Sequence, residues 1–141
     1  MRLTLHDDLL LVPVTVAYQG RQIHIPDLVV DTGSAATMIS TDAVAQVGLI
    51  PEPQDILHVV HGVGGAEVVF SRRVDRLQIG PRAIEQFEIE VGGIDAAFDI
   101  NGILGLDFLL QTGAIIDLGS LQLDFPPGEA GEAEEAGEKR R

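Results

Sequence analysis

Asp31-Thr32-Gly33 ends the apolar run Leu28-Val29-Val30 and leads into Ser34-Ala35-Ala36-Thr37. A chain with this junction must carry one carboxylate from a strand end into a tight loop of small residues. An aspartate flanked by a hydroxyl and a glycine suits an acid that has to be held rigidly. The same residue type also caps ordinary turns by bonding its own backbone. The tripeptide occurs once in 141 residues. A reaction that needs two such acids must therefore take the second from another copy of the chain.

The length fits one domain, large enough to bury roughly two-thirds of its unfolded surface. Hydrophobic residues make up 45% and aromatic residues only 4%, so the core must be built from Val, Ile, Leu and Ala. With 16 glycines, this favours a β-rich fold with tight turns. The net charge is −13, and residues 1–125 alone hold 17 acidic and 6 basic side chains. That balance argues against nucleic acid and against an anionic membrane surface, both of which need clustered Lys and Arg. There is no Cys, hence no disulfide framework or thiolate zinc site. No basic-then-apolar leader opens the sequence, and Leu9–Tyr18 is too short an apolar run to span a bilayer. A cytoplasmic location is expected.

Turn signals divide residues 1–125 into short extended runs. Residues 9–18 and 22–30 read as a hairpin around Gln19-Gly20, with Pro13 requiring an edge or a bulge. Thr41-Asp42 offers N-caps for a short helix over Ala43–Val47, stopped by Gly48. Residues 56–61 and 66–71 flank Gly62-Val63-Gly64-Gly65, a hairpin with a glycine-rich tip. Residues 74–79 and 84–91 alternate as strands, the second with a slip at Gln86. Residues 102–110 combine a buried strand, a glycine and a helical turn, and 114–118 with 121–125 form a last hairpin. Residues 126–141 lack Val, Ile, Leu and aromatics and read as a disordered acidic tail.

Three motifs stand in order: VVDTGSAAT at 29–37, GVGG at 62–65 and GILGLDFL at 102–109. Together they resemble the retropepsin-like aspartic proteases, the single-lobed family that includes the retroviral proteases. The resemblance implies an all-β, partly closed barrel with one or two short helices. It implies an endopeptidase acting on a peptide or protein substrate as a homodimer, with no cofactor or metal. Its catalytic residues would be Asp31, Thr32, Gly33 and Ser34. Thr32 would bond the opposite chain, and Ser34 the outer carboxylate oxygen. Gly62, Val63, Gly64 and Gly65 would form a flap over the substrate, and Ile103 and Leu104 would line subsites. Two carboxylates sharing one proton can deprotonate a water and protonate a carbonyl, because like charges that close cannot both ionise.

The chain departs from the retroviral pattern at Ala35 and Leu106, where an acid and an arginine ordinarily pair. Both are missing together, so an apolar contact is expected in place of an ion pair. The flap has no Tyr or Trp, leaving His61 or Val63 to make its contact. Leu3–Leu5 and Leu121–Phe125 are candidates for an inter-subunit sheet. Asp107 reads as a helix cap. His58 and His61 are three apart, on opposite faces of a strand, and do not make a metal pair. The alternative function is a catalytically silent peptide-binding or dimerisation module.

Overall fold

The computed structural model describes residues 1–62, 65–94 and 99–127. The strands are β1 (Thr4–His6), β2 (Leu9–Tyr18), β3 (Arg21–Val30), β4 (Met38–Ser40), β5 (Leu57–Gly62), β6 (Gly65–Ile79), β7 (Arg82–Gly92), β8 (Gly102–Leu104), β9 (Ile115–Asp117) and β10 (Gln122–Asp124). Two helices, α1 (Thr41–Ala45) and α2 (Leu106–Thr112), complete the elements. Eight strands form one sheet in the order β1-β2-β3-β8-β4-β7-β6-β5, and a further β2–β6 pairing closes six of them into a ring. The fold is thus the all-β barrel with short helices that the motifs imply. The ring encloses Val12, Val14, Leu28, Ile39, Leu77, Ile89, Leu104 and Phe108, all at most 1% exposed. Phe87 meets Phe108 edge to face, with centroids 5.9 Å apart. Aliphatic side chains do the rest, as a composition poor in aromatics requires.

Pro13 is accommodated by a bulge in an interior strand. The β2–β3 register runs Val14↔Ile25 and then Val12↔Leu28. Pro13 thus faces Pro26 and Asp27, so neither proline interrupts the ladder where a donor is needed. Asn101 caps the bulge, its Nδ2 donating to the Pro26 carbonyl at 2.8 Å and its N–H to the Asp27 carbonyl at 2.9 Å. The slip at Gln86 is a residue at φ 53°, which lets Ile84 and Phe87 both face inward although three apart.

Three expectations need correction. Residues 66–71 and 74–79 are one strand, β6, because Arg72-Arg73 is polar but carries no turn residue. The N-cap of α1 is Ser40, whose Oγ accepts the Ala43 N–H at 3.1 Å; Thr41 and Asp42 lie inside the helix. Both candidate inter-subunit strands are used within the chain. β1 pairs with β2, and the Leu3 N–H donates to the Leu121 carbonyl at 2.8 Å. Leu3 and Leu123 are buried at 1% and 0% exposure, so burial of these two apolar anchors favours in-chain pairing. At the C-terminal side, Arg82 donates to the Pro126 carbonyl and stacks on Phe125. Residues 128–141, the greater part of the expected tail, lie outside the described residues. No helix among the described residues is long and apolar enough to cross a membrane.

Candidate active site

β3 reaches the site by running parallel to β8, with Val29 level with Ile103 and Val30 with Leu104. The ladder continues one residue further, the Asp31 N–H donating to the Leu104 carbonyl at 3.0 Å. Asp31 therefore leaves the sheet in a fixed direction. Its Oδ1 accepts the Gly33 N–H at 2.9 Å, and its carbonyl accepts the Ser34 N–H at 3.2 Å. The side chain thus does bond its own backbone, as a turn aspartate would, through Oδ1, and Oδ2 makes no hydrogen bond among the described residues. Asp31 is half-buried, while Thr32 and Gly33 are exposed. The Ser34 hydroxyl donates to the Ala36 carbonyl at 2.8 Å and not to Asp31.

The loop is stitched to α2 over a sequence separation of 70 residues. Thr37, fully buried, donates its N–H to Asp107 Oδ2 at 3.0 Å and its hydroxyl to Oδ1 at 2.7 Å. The Thr37 hydroxyl also accepts the Gly105 N–H at 3.0 Å. Backbone bonds add to this: Leu106 N–H to the Ser34 carbonyl at 2.8 Å and Asp107 N–H to the Ala35 carbonyl at 3.2 Å. The Ala35 and Leu106 positions are therefore joined through main chain and the neighbouring Thr37–Asp107 bonds, without a side-chain ion pair. Asp107 accepts the Phe108 N–H at 2.8 Å, but the N-cap position of α2 belongs to Gly105. Its carboxylate bonds Thr37 through both oxygens, a role the sequence reading missed. Thr37 and Asp107 are ordinary residues in ordinary sequence neighbourhoods, and only the fold brings them together.

Of the two apolar candidates, Ile103 is half-buried and Leu104 is 0% exposed. Neighbours on a strand point to opposite faces, so Leu104 joins the core and only Ile103 is open to a ligand. Gly62 and Gly65 pair as the last rung of the β5–β6 hairpin. Val63 and Gly64 lie outside the described residues. A separate cleft of about 680 Å³, lined by His24, Asp27, Asp42 and Asp99 among others, lies beside α1, and Asp31 is not on its wall.

The hairpin is fastened at its base. Arg72, 12% exposed, donates to Asp55 Oδ2 at 2.6 Å, Tyr18 Oη at 2.9 Å and the Ile50 carbonyl at 3.1 Å. Its guanidinium stands over the Phe70 ring. The Glu52 N–H is the main cause that holds the Asp55 carboxyl below its ordinary value of 3.8; desolvation opposes it, and the Arg72 hydrogen bond and charge add to the lowering. A carboxyl depressed in the folded state contributes stability that is complete above the unfolded value and is lost as pH falls through the folded one. Arg72→Ala is therefore expected to lower the melting temperature and speed amide exchange over residues 50–58. The melting difference from wild type is expected to hold from neutral pH down to about pH 4 and to shrink below it. A difference that vanishes already at pH 6 would show that Asp55 is not the partner that matters.

The profile of the family described as "Aspartyl protease" matches residues 12–108, from β2 into α2. A comparison with the curated proteins gave no match. The matched span contains the Asp31 turn, the β5–β6 hairpin and the Gly105 junction, and the chain belongs to the aspartyl protease family.

Proposed function

We propose that this chain is an aspartic endopeptidase of the retropepsin type, active as a homodimer in which each copy supplies one Asp31. The observation that supports this best is the single half-buried carboxylate held at a ladder end, its loop bonded to α2 so that the turn cannot rotate. Each copy has one such acid, and a two-fold axis beside Thr32 and Gly33 would set it opposite itself. With one proton shared between the two carboxyl groups, the ionised one takes a proton from water as it attacks the peptide carbonyl. The protonated one gives its proton to the carbonyl oxygen. The resulting tetrahedral centre then collapses with proton transfer to the leaving amine. Activity is expected under acidic conditions, where the pair retains its shared proton.

The test is cleavage of an unstructured protein by purified chain, followed as the chain is diluted. Specific activity is expected to be constant when the dimer is saturated and to fall in proportion to concentration below its dissociation constant. Activity per chain that is independent of dilution, in a protein sedimenting as a monomer, would overturn the dimeric mechanism. A dimer that binds peptides across the acidic range and cleaves none would identify the silent module instead.

A further inference from the structure

The face that carries Asp31 can be followed from strand to strand. Side chains alternate along extended chain, so Val29 and Asp31 lie on the same side. Val29 is level with Ile103 on β8, Ile103 with Met38 on β4, Met38 with Glu90 on β7, and Glu90 with Ser71 on β6. All five are half-buried. Their strand neighbours Leu28, Leu104, Ile39, Val91 and Phe70 are all buried core. The row is thus one continuous, ligand-accessible stripe that begins beside the candidate catalytic carboxylate.

Its chemistry changes along its length. Val29, Ile103 and Met38 are apolar, and then a carboxylate appears. Glu90 Oε2 accepts the Ser71 hydroxyl at 3.1 Å and lies 2.6 Å from His58 Nε2. With the serine proton committed to the carboxylate, the imidazole must carry its proton on Nε2. Both donors fall on Oε2, and among the described residues no side chain bonds Oε1. The Glu90 side chain is 20% exposed. Its own N–H donates to the Thr37 carbonyl at 2.9 Å, which ties it to the loop that follows Asp31.

We propose that Glu90, oriented by His58 and Ser71, is a specificity subsite for a basic side chain of the substrate. This rests on the reading of the Asp31 face as the peptide cleft. Two strand spacings separate β8 from β7, roughly 10 Å. An extended peptide presents side chains to one face about every 6.6 Å. A peptide along the stripe therefore sets an apolar residue against Ile103. The second or fourth residue along from it reaches Glu90 Oε1, where a Lys or Arg gains a charge-assisted bond.

The experiment uses labelled peptides that differ only at those two positions, carrying Lys, Ala or Glu. Binding to Asp31→Asn protein is measured by anisotropy, with cleavage by wild type measured in parallel. The Lys peptide is expected to bind about tenfold more tightly than the Glu peptide. Glu90→Gln is expected to bring the two within about twofold while leaving the Ala peptide's affinity unchanged. His58→Ala is expected to reduce the Lys preference about threefold without abolishing it, since the carboxylate remains but loses one of the two groups that orient it. Equal binding of the three peptides, no measurable binding, or a Lys preference that survives Glu90→Gln would each overturn the subsite. A Lys preference in binding without any cleavage would uphold the subsite and count against the peptidase.

Discussion

Asp31→Asn is expected to abolish peptide cleavage while leaving the fold intact. Oδ1 accepts the Gly33 N–H, and an asparagine carbonyl oxygen can accept it equally well. The Asp31 N–H and carbonyl keep their bonds to Leu104 and Ser34 in either case, so the turn is retained. The group at the Oδ2 position becomes an amide, which can neither take a proton from water nor deliver one to a carbonyl. In the proposed dimer the substitution enters both halves, so neither acid remains. A loss of roughly 10³-fold or more is expected, with melting temperature and dimer affinity close to wild type. The measurement is turnover of an unstructured protein at acidic pH, beside a melting curve for each protein. Comparable activity in both would refute catalysis by Asp31.

Gly105→Ala carries the second large effect, this time on the fold. Gly105 has an ordinary extended φ of −98°, so no backbone conformation demands glycine. Space does. A Cβ there would sit 2.5 Å from the Ala36 carbonyl oxygen, 2.6 Å from its carbon and 2.9 Å from the Ser34 carbonyl oxygen. All three are main-chain atoms of the candidate catalytic loop, and they are pinned by Leu106, Asp107 and Thr37. The methyl group can be accommodated only by moving the loop away from α2, which breaks the Gly105 N–H bond to Thr37 and strains the Thr37–Asp107 bonds. About 3 kcal/mol of destabilisation is expected, the upper range for overpacking. Cleavage should fall as well, because the loop that moves carries Asp31. Chemical denaturation measures the first, and turnover of the folded fraction the second. A variant as stable as wild type would mean that the loop and α2 are not tightly apposed.

Much of the barrel is legible in the sequence, since period-two alternation and glycine or proline turns are local signals. Ile84, Phe87, Ile89 and Val91 declare their inward face without any knowledge of partners. The Asp31 turn is legible for the same reason: an apolar run followed by small residues is a local pattern. What escapes is whatever depends on pairing across the chain. Thr37 and Asp107 are joined only because β8 lies between β3 and β4. Leu104 looks as accessible as Ile103 until register assigns it to the core. The in-chain pairing of Leu3 with Leu121 depends on how the two ends of the sequence meet. The continuity of β6 through Arg72-Arg73 was hidden by the polarity of those two residues.

The placement of β8 also dictates when the candidate site can exist. β3 and β4 are neighbours in sequence but do not touch as strands. The gap between them is filled by three residues, Gly102–Leu104, that are synthesised some sixty residues later. Until then Asp31 has no ladder to end and Thr37 has no carboxylate to bind. The rigid acid is therefore a late, long-range product of folding, paid for by closing a large loop. A nascent chain lacking α2 carries the complete Asp31-Thr32-Gly33 motif in a form unable to hold its shape. The candidate site is thus withheld until nearly the whole barrel has assembled.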